Sequence, residues 1–177
     1  MEERIVVADP VADPQGYQRE LLALLSGQDP VEVLGATPAT AREYTDGVPD
    51  EVLDRRPEPT EWSAAEVLGH LWDAEIAFSF RARLILAQDT PPLIGYDQDA
   101  WAKLARPRFG ELLEAFSALR LANLVLVRQT PQPLWDRYGV HSERGETSFR
   151  LLVETTAGHD RAHLRQLSQT LAAVRGT

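Results

Sequence analysis

Apolar residues in this chain recur at intervals of three and four, seldom of two, and the runs they form are cut by prolines. That spacing lays one apolar stripe along a helix, whereas a half-buried strand would alternate. Proline lacks an N–H and has a fixed φ, so it opens helices and ends them but rarely sits inside them. The chain therefore reads as helices separated by proline-marked connections, with no strand expected.

Asp13-Pro14 has the form of an N-cap followed by proline at the first helical position, opening a helix with Tyr17, Leu21, Leu22, Leu24 and Leu25 as far as Gly27. Asp29-Pro30 and Thr37-Pro38 repeat the device, which predicts a short turn over 31–34 and a separate second helix through Tyr44. Residues 48–59 are polar and proline-rich, a connector. Ser63-Ala64-Ala65-Glu66 is a capping box, in which hydroxyl and carboxylate satisfy the free amides of a first turn. The helix behind it turns Val67, His70, Leu71, Ala74, Ala77, Phe78, Arg81 or Ala82, and Ile85 inward, and stops near Gln88 ahead of Pro91-Pro92. A connector with Ile94, Tyr96 and Trp101 leads to a helix over 108–129, ended by Pro131 and Pro133. After a loop over 139–145, a last helix begins near Thr147 or Ser148 and carries Phe149, Leu152, Val153, Thr156, His159, His163, Leu167, Thr170 and Leu171 inward. Four long helices predict an all-α four-helix bundle. Residues 1–12 read as an N-terminal extension and 13–177 as one domain, long enough to hide roughly 70% of its unfolded surface.

The chain contains no cysteine, which excludes disulfides, thiolate metal sites and protein-thiol nucleophiles. A net charge of −9 without a basic stripe argues against nucleic acid as a partner. No apolar run is long enough to span a membrane, and the Met1-Glu2-Glu3-Arg4 start lacks the form of a signal peptide, so the expected address is the cytoplasm, with no membrane partner.

Chemistry concentrates in the last helix. His159 and His163 are four apart, so both rings leave the same face one turn apart and can share an ion. Both replace apolar side chains on the core stripe, where an imidazole without a partner costs about 1–3 kcal/mol. A metal satisfies them, as would hydrogen bonds to buried groups. His159-Asp160-Arg161-Ala162-His163 has zincin spacing with aspartate in place of glutamate, but the residues after His163 include no His, Asp or Glu to complete such a site. A third ligand has to come from upstream, and His70, on the apolar side of its own helix, is the best candidate. Three histidines leave a coordination position open, the catalytic kind of site. A di-iron bundle would need Glu-x-x-His motifs, and the sequence has none.

Glu61-Trp62-Ser63, Glu66, His70-Leu71, Asp73 and Glu75, then Arg81, then His141 with Gly145-Glu146-Thr147, and finally His159-Asp160, His163-Leu164 and Gln166, together resemble the DinB/YfiT-like family from about Asp13 onward. The resemblance implies an up-up-down-down bundle with short extra helices in its connections, in most members a homodimer. It also implies a divalent metal, zinc, nickel or iron, on His70, His159 and His163. Relatives of this kind include S-transferases that use a low-molecular-weight thiol (bacillithiol, mycothiol or glutathione) and proteins labelled metal-dependent hydrolases. The family name comes from DNA-damage induction, which ties it to stress response and not to DNA binding.

Two functions of different class follow. One is an enzyme with a small-molecule substrate, either a hydrolase using metal-bound hydroxide or an S-transferase activating a small thiol. The other is a non-catalytic, metal-binding homodimer with a structural or ligand-sensing stress role. Around the trio, His141 reads as a surface or loop-bracing residue, and Asp160, about 100° around the helix from His159, as solvent-facing or supporting a histidine. Asp73 is a candidate support, Glu66 belongs to its capping box, Trp62 and Trp72 read as core, and the arginines among acids read as a solvated face.

Overall fold

A computed structural model describes residues 12–175; the start of the expected N-terminal extension lies outside them. The described chain forms α1 (Pro14–Leu24), α2 (Pro30–Thr45), α3 (Asp50–Leu53), α4 (Ala64–Ala87), β1 (Pro92–Leu93), α5 (Gln98–Ala102), α6 (Phe109–Gln129), a 3-10 turn (Gln132–Asp136), β2 (Tyr138–His141), β3 (Gly145–Ser148) and α7 (Phe149–Arg175). No described helix is long and apolar enough to cross a membrane.

The caps read from the sequence are in place. Asp13 accepts from the Gly16 N–H at 2.8 Å and Asp29 from the Val31 N–H at 2.7 Å, each ahead of a first-turn proline. Ser63 and Glu66 form the reciprocal capping box that opens α4, and Gln88 caps its end. Arg56 also pairs with Glu66, so the box is tied to the connector before it.

Three expectations change. First, Pro38 does not open a new helix, because α2 is continuous from Pro30 to Thr45. A proline inside a helix strips the hydrogen bond from the carbonyl four residues back. Here that carbonyl is Leu34's, and it accepts instead from Arg120 Nη1 at 2.9 Å. Second, a small sheet forms where only loop was expected: β2 pairs antiparallel with β3 and parallel with β1, with Leu93 beside His141. Strands of two and four residues are too short to impose an alternating signal on the sequence.

Third, the helix directions differ from those expected. One end of the bundle packs Leu34 of α2, Phe78 and Ile85 of α4, Leu124 and Val127 of α6, and Phe149 and Val153 of α7. The other packs Ala41, Leu68 and Leu71, Leu112 and Phe116, and Leu167 and Leu171 of the same helices. So α2 and α7 run one way and α4 and α6 the other. The bundle is all-α with four long helices, as expected, but its order is up-down-down-up in place of up-up-down-down. The connection through β1 and α5 makes this possible, since it is long enough to carry the chain back along α4 before α6 begins. Helix α1 lies against α7, and a Cβ at Gly158 would collide with the Leu21 carbonyl, so glycine permits that close approach.

Candidate metal centre

Antiparallel α4 and α7 bring His70, His159 and His163 together inside the bundle, as the helical spacing predicts. One ligand nitrogen from each lies within 4.8 Å of the other two. The His70 and His159 Nε2 atoms are 2.9 Å apart, and the ring centroids of the three are 4.3–4.9 Å from one another. His163 Nδ1 donates to Gln166 Oε1 at 2.8 Å, one turn further along α7. Trp62 covers the group, with its ring 5.1 Å from His70 and 6.4 Å from His163.

The trio fits a divalent ion. An ion about 2.0–2.1 Å from each imidazole nitrogen needs ligand nitrogens roughly 3–3.5 Å apart; here one pair stands at 2.9 Å and all three lie within 4.8 Å. Protein groups alone leave the cluster underbonded: His70 and His159 set their Nε2 atoms against each other, and two neutral imidazoles meeting there can share at most one proton, so a lone pair is left for a cation. Burial, together with His163 and Arg106, holds His70 well below the ordinary histidine range. Burial and the two neighbouring imidazoles do the same to His159. His163 is also lowered by burial, against the opposing pull of Gln166 and Asp160. All three are therefore neutral imidazoles near pH 7, the form that ligates metals.

The residues expected around the trio are placed differently. Asp160 is neither solvent-facing nor bonded to a histidine: it is 1% exposed and pairs with Arg120 at 2.5 Å. Arg120 in turn binds Glu75 at 2.8 Å, and Asn123 donates to the same carboxylate at 2.8 Å. Arginine as a solvated face fails here, since Arg120 is buried at the bundle centre. Burial pulls its guanidinium down, but Asp160 and Glu75 outweigh that and hold it above its ordinary value. Asp73 pairs with Arg106, whose side chain lies over Gly69, and it makes no hydrogen bond to His70. Trp72 is core, as read, and packs under Arg106.

A cavity of 680 Å³ opens beside His70 and His159, between α1, α4, α7 and the small sheet. His141 lines it and is 4% exposed, so it is not a surface residue, although it does brace the β2–β3 turn by accepting the Glu143 N–H at 3.2 Å. Arg81, Arg144, Tyr17 and Tyr96 line it as well. Burial, then Arg81 and Arg144, push His141 down to about 4, and burial pushes Tyr96 up to about 12. Burial and Arg144 pull Arg81 below its usual value. His141 escaped the sequence reading because it sits on a four-residue strand, too short to leave a signal, and the structure alone shows its burial there.

Three neutral imidazoles from two antiparallel helices of a bundle meet within 4.8 Å beside a cavity, an arrangement that could hold a metal ion. Residues 34–167 match the DinB superfamily, and the chain belongs to that family. It is 26% identical over 140 residues to "Putative metal-dependent hydrolase OB0413" of Oceanobacillus iheyensis, covering 76% of this chain and 79% of that one. It is 30% identical over 74 residues to "Putative metal-dependent hydrolase YfiT" of Bacillus subtilis, a match spanning 42% of each chain. The solved structure of Bacillus subtilis YfiT, described as a probable metal-dependent hydrolase with an unusual four-helix bundle topology, superposes with a TM-score of 0.71 at 19% identity. That superposition covers 97% of this chain and 94% of YfiT, and it establishes the shared fold.

Proposed function

We propose that this chain is a metal-dependent hydrolase, with His70, His159 and His163 holding a zinc, nickel or iron ion and the adjoining cavity taking a small-molecule substrate. One observation carries the reading: three neutral imidazoles, His70 buried and His159 and His163 half-buried, converge within 4.8 Å beside a 680 Å³ cavity. A divalent ion bound there lowers the pKa of a coordinated water or thiol toward neutrality. The protein's part is to hold the ligands ready. Gln166 accepts the Nδ1 proton of His163 and so leaves Nε2 free to face the trio. Burial keeps the lone pairs of His70 and His159 unprotonated. Trp62 covers His70 and His163.

A second reading, thiol S-transfer, is favoured by the size of the cavity, which has room for a small thiol beside a second substrate, in a chain with no cysteine of its own. A cytoplasmic location belongs with that reading, since low-molecular-weight thiols stay reduced there. A homodimer also stays a proposal, with Phe80, Leu121 and Val125, exposed on α4 and α6, as apolar surface available for it.

The test is turnover of activated esters, and of monobromobimane or chlorodinitrobenzene with several thiols, by metal-loaded and chelated protein. Metal-dependent ester hydrolysis is expected. Thiol adducts without hydrolysis would shift the assignment to S-transfer. Strong stabilisation by metal with no turnover in any assay would leave the non-catalytic reading standing.

A further inference from the structure

The cavity beside the histidines holds positive charge that no carboxylate of the described residues pairs directly, although exposed Glu143 acts on Arg81 across space. Elsewhere in the interior each arginine has its anion: Arg106 has Asp73, and Arg120 has Glu75 and Asp160. Arg81, 9% exposed, bonds only the Ile94 carbonyl oxygen, at 2.7 Å, and among the described residues no carboxylate oxygen lies within salt-bridge distance of it. Arg144 lies over the Tyr17 ring at 5.7 Å, and its Nε is buried with no hydrogen-bond partner.

A third donor is waiting in the same place. His141 Nδ1 accepts from the Glu143 N–H at 3.2 Å, so the neutral ring carries its proton on Nε2. That Nε2 is buried and has no partner. Buried charges and donors are ordinarily paired, so three such groups lining one cavity mark a place for an acceptor supplied from outside.

We propose that the cavity binds a small organic carboxylate, with its anionic end held by Arg81, Arg144 and the His141 Nε2–H and the rest of the molecule reaching toward His70 and His159. The planar guanidinium fork matches a carboxylate and bonds it through two parallel N–H groups. Asp97, Asp99 and Glu143 also line the cavity, but all three are exposed, where water and salt screen them. Their presence favours a singly charged carboxylate over a phosphate dianion. The proposal names the substrate class of the centre proposed above and rests on that reading for the position of the reacting end. The anion pocket itself is built from other residues.

The experiment measures binding of benzoate, benzamide and phenyl phosphate by calorimetry, on metal-loaded protein and on chelated protein, with metal content determined for each variant. Benzoate is expected to bind both forms and to bind at least tenfold more tightly than benzamide. Arg144→Gln and Arg81→Gln should each weaken benzoate tenfold or more, with benzamide affinity and metal content unchanged. Arg150→Gln, on the surface, should change nothing. Arg144 is partly exposed, so its variant keeps the test valid even if Arg81→Gln fails to fold. Equal binding of benzoate and benzamide, benzoate affinity indifferent to Arg144→Gln, binding that vanishes on chelation, or tighter binding of phenyl phosphate would each overturn the proposal. A wild-type protein that takes up no metal when loading is attempted, yet binds benzoate through Arg81 and Arg144, would sustain the pocket while removing the metal centre.

Discussion

Two buried polar regions lie side by side along α7, and they are solved in opposite ways. In one, Arg120 is enclosed by Glu75, Asp160, Asn123 and the Leu34 carbonyl, so every charge meets its complement inside the protein. In the other, on the neighbouring face of the same helix, His159 keeps an unbonded nitrogen, and the cavity beside it is lined by His141 and Arg144, each with a buried donor unused. Adjacent residues of one helix, His159 and Asp160, belong to the two regions. A closed network costs specificity of geometry and gives a fixed core, whereas an open one stores binding capacity for something the chain does not itself contain. Buried polarity is therefore structural where it is satisfied and functional where it is not.

That contrast can be broken most sharply at Arg120. Arg120→Ala leaves two buried carboxylates without a counter-charge, and urea unfolding should show a loss of about 3–5 kcal/mol. A loss within experimental error would mean that the network is not the closed unit described. Acid should act on the other region. The histidines of the trio have folded-state values pushed below the ordinary histidine range, so the unfolded chain binds more protons than the folded one as pH falls. Stability of the chelated protein is then fully present above about pH 6.5 and drains away below it. Thermal melts of chelated protein from about pH 7.5 to 5.5 check the sign, and a melting temperature that rises on acidification would contradict it.

Smaller effects refine the boundary between the regions. Gln166→Ala removes the acceptor that fixes the His163 tautomer and should weaken metal binding about 10- to 100-fold in a competition titration, with little change in the unfolding of chelated protein. Ser63→Ala removes a cap whose side chain touches neither region, and should lower stability by about 1 kcal/mol with a much smaller change in metal affinity than Gln166→Ala.

The trio was legible in the sequence because helical spacing is a local code: His159 and His163 declare their shared face four residues apart, and His70 sits on its own apolar stripe. Caps are equally local, so Asp13, Asp29 and Ser63 were read correctly. What escaped reading depends on distant partners. Nothing near Pro38 says that an arginine more than eighty residues on will take the carbonyl the proline frees, so the helix was divided there. Arg120 and Asp160 look like surface charges until four helices surround them. His141 and Arg144 come to the cavity on a hairpin whose strands are too short to announce themselves, and their unanswered donors exist only in three dimensions. The direction of α4 was likewise set by its connections and not by its own pattern.

The central claim is that the open region holds a metal through His70, His159 and His163. Elemental analysis of protein purified without a nickel column, beside His159→Ala/His163→Ala and His70→Ala, tests it most directly. The account predicts about one divalent ion per wild-type chain and its loss from both variants while each remains folded. Stoichiometric metal retained by the folded double variant would contradict it.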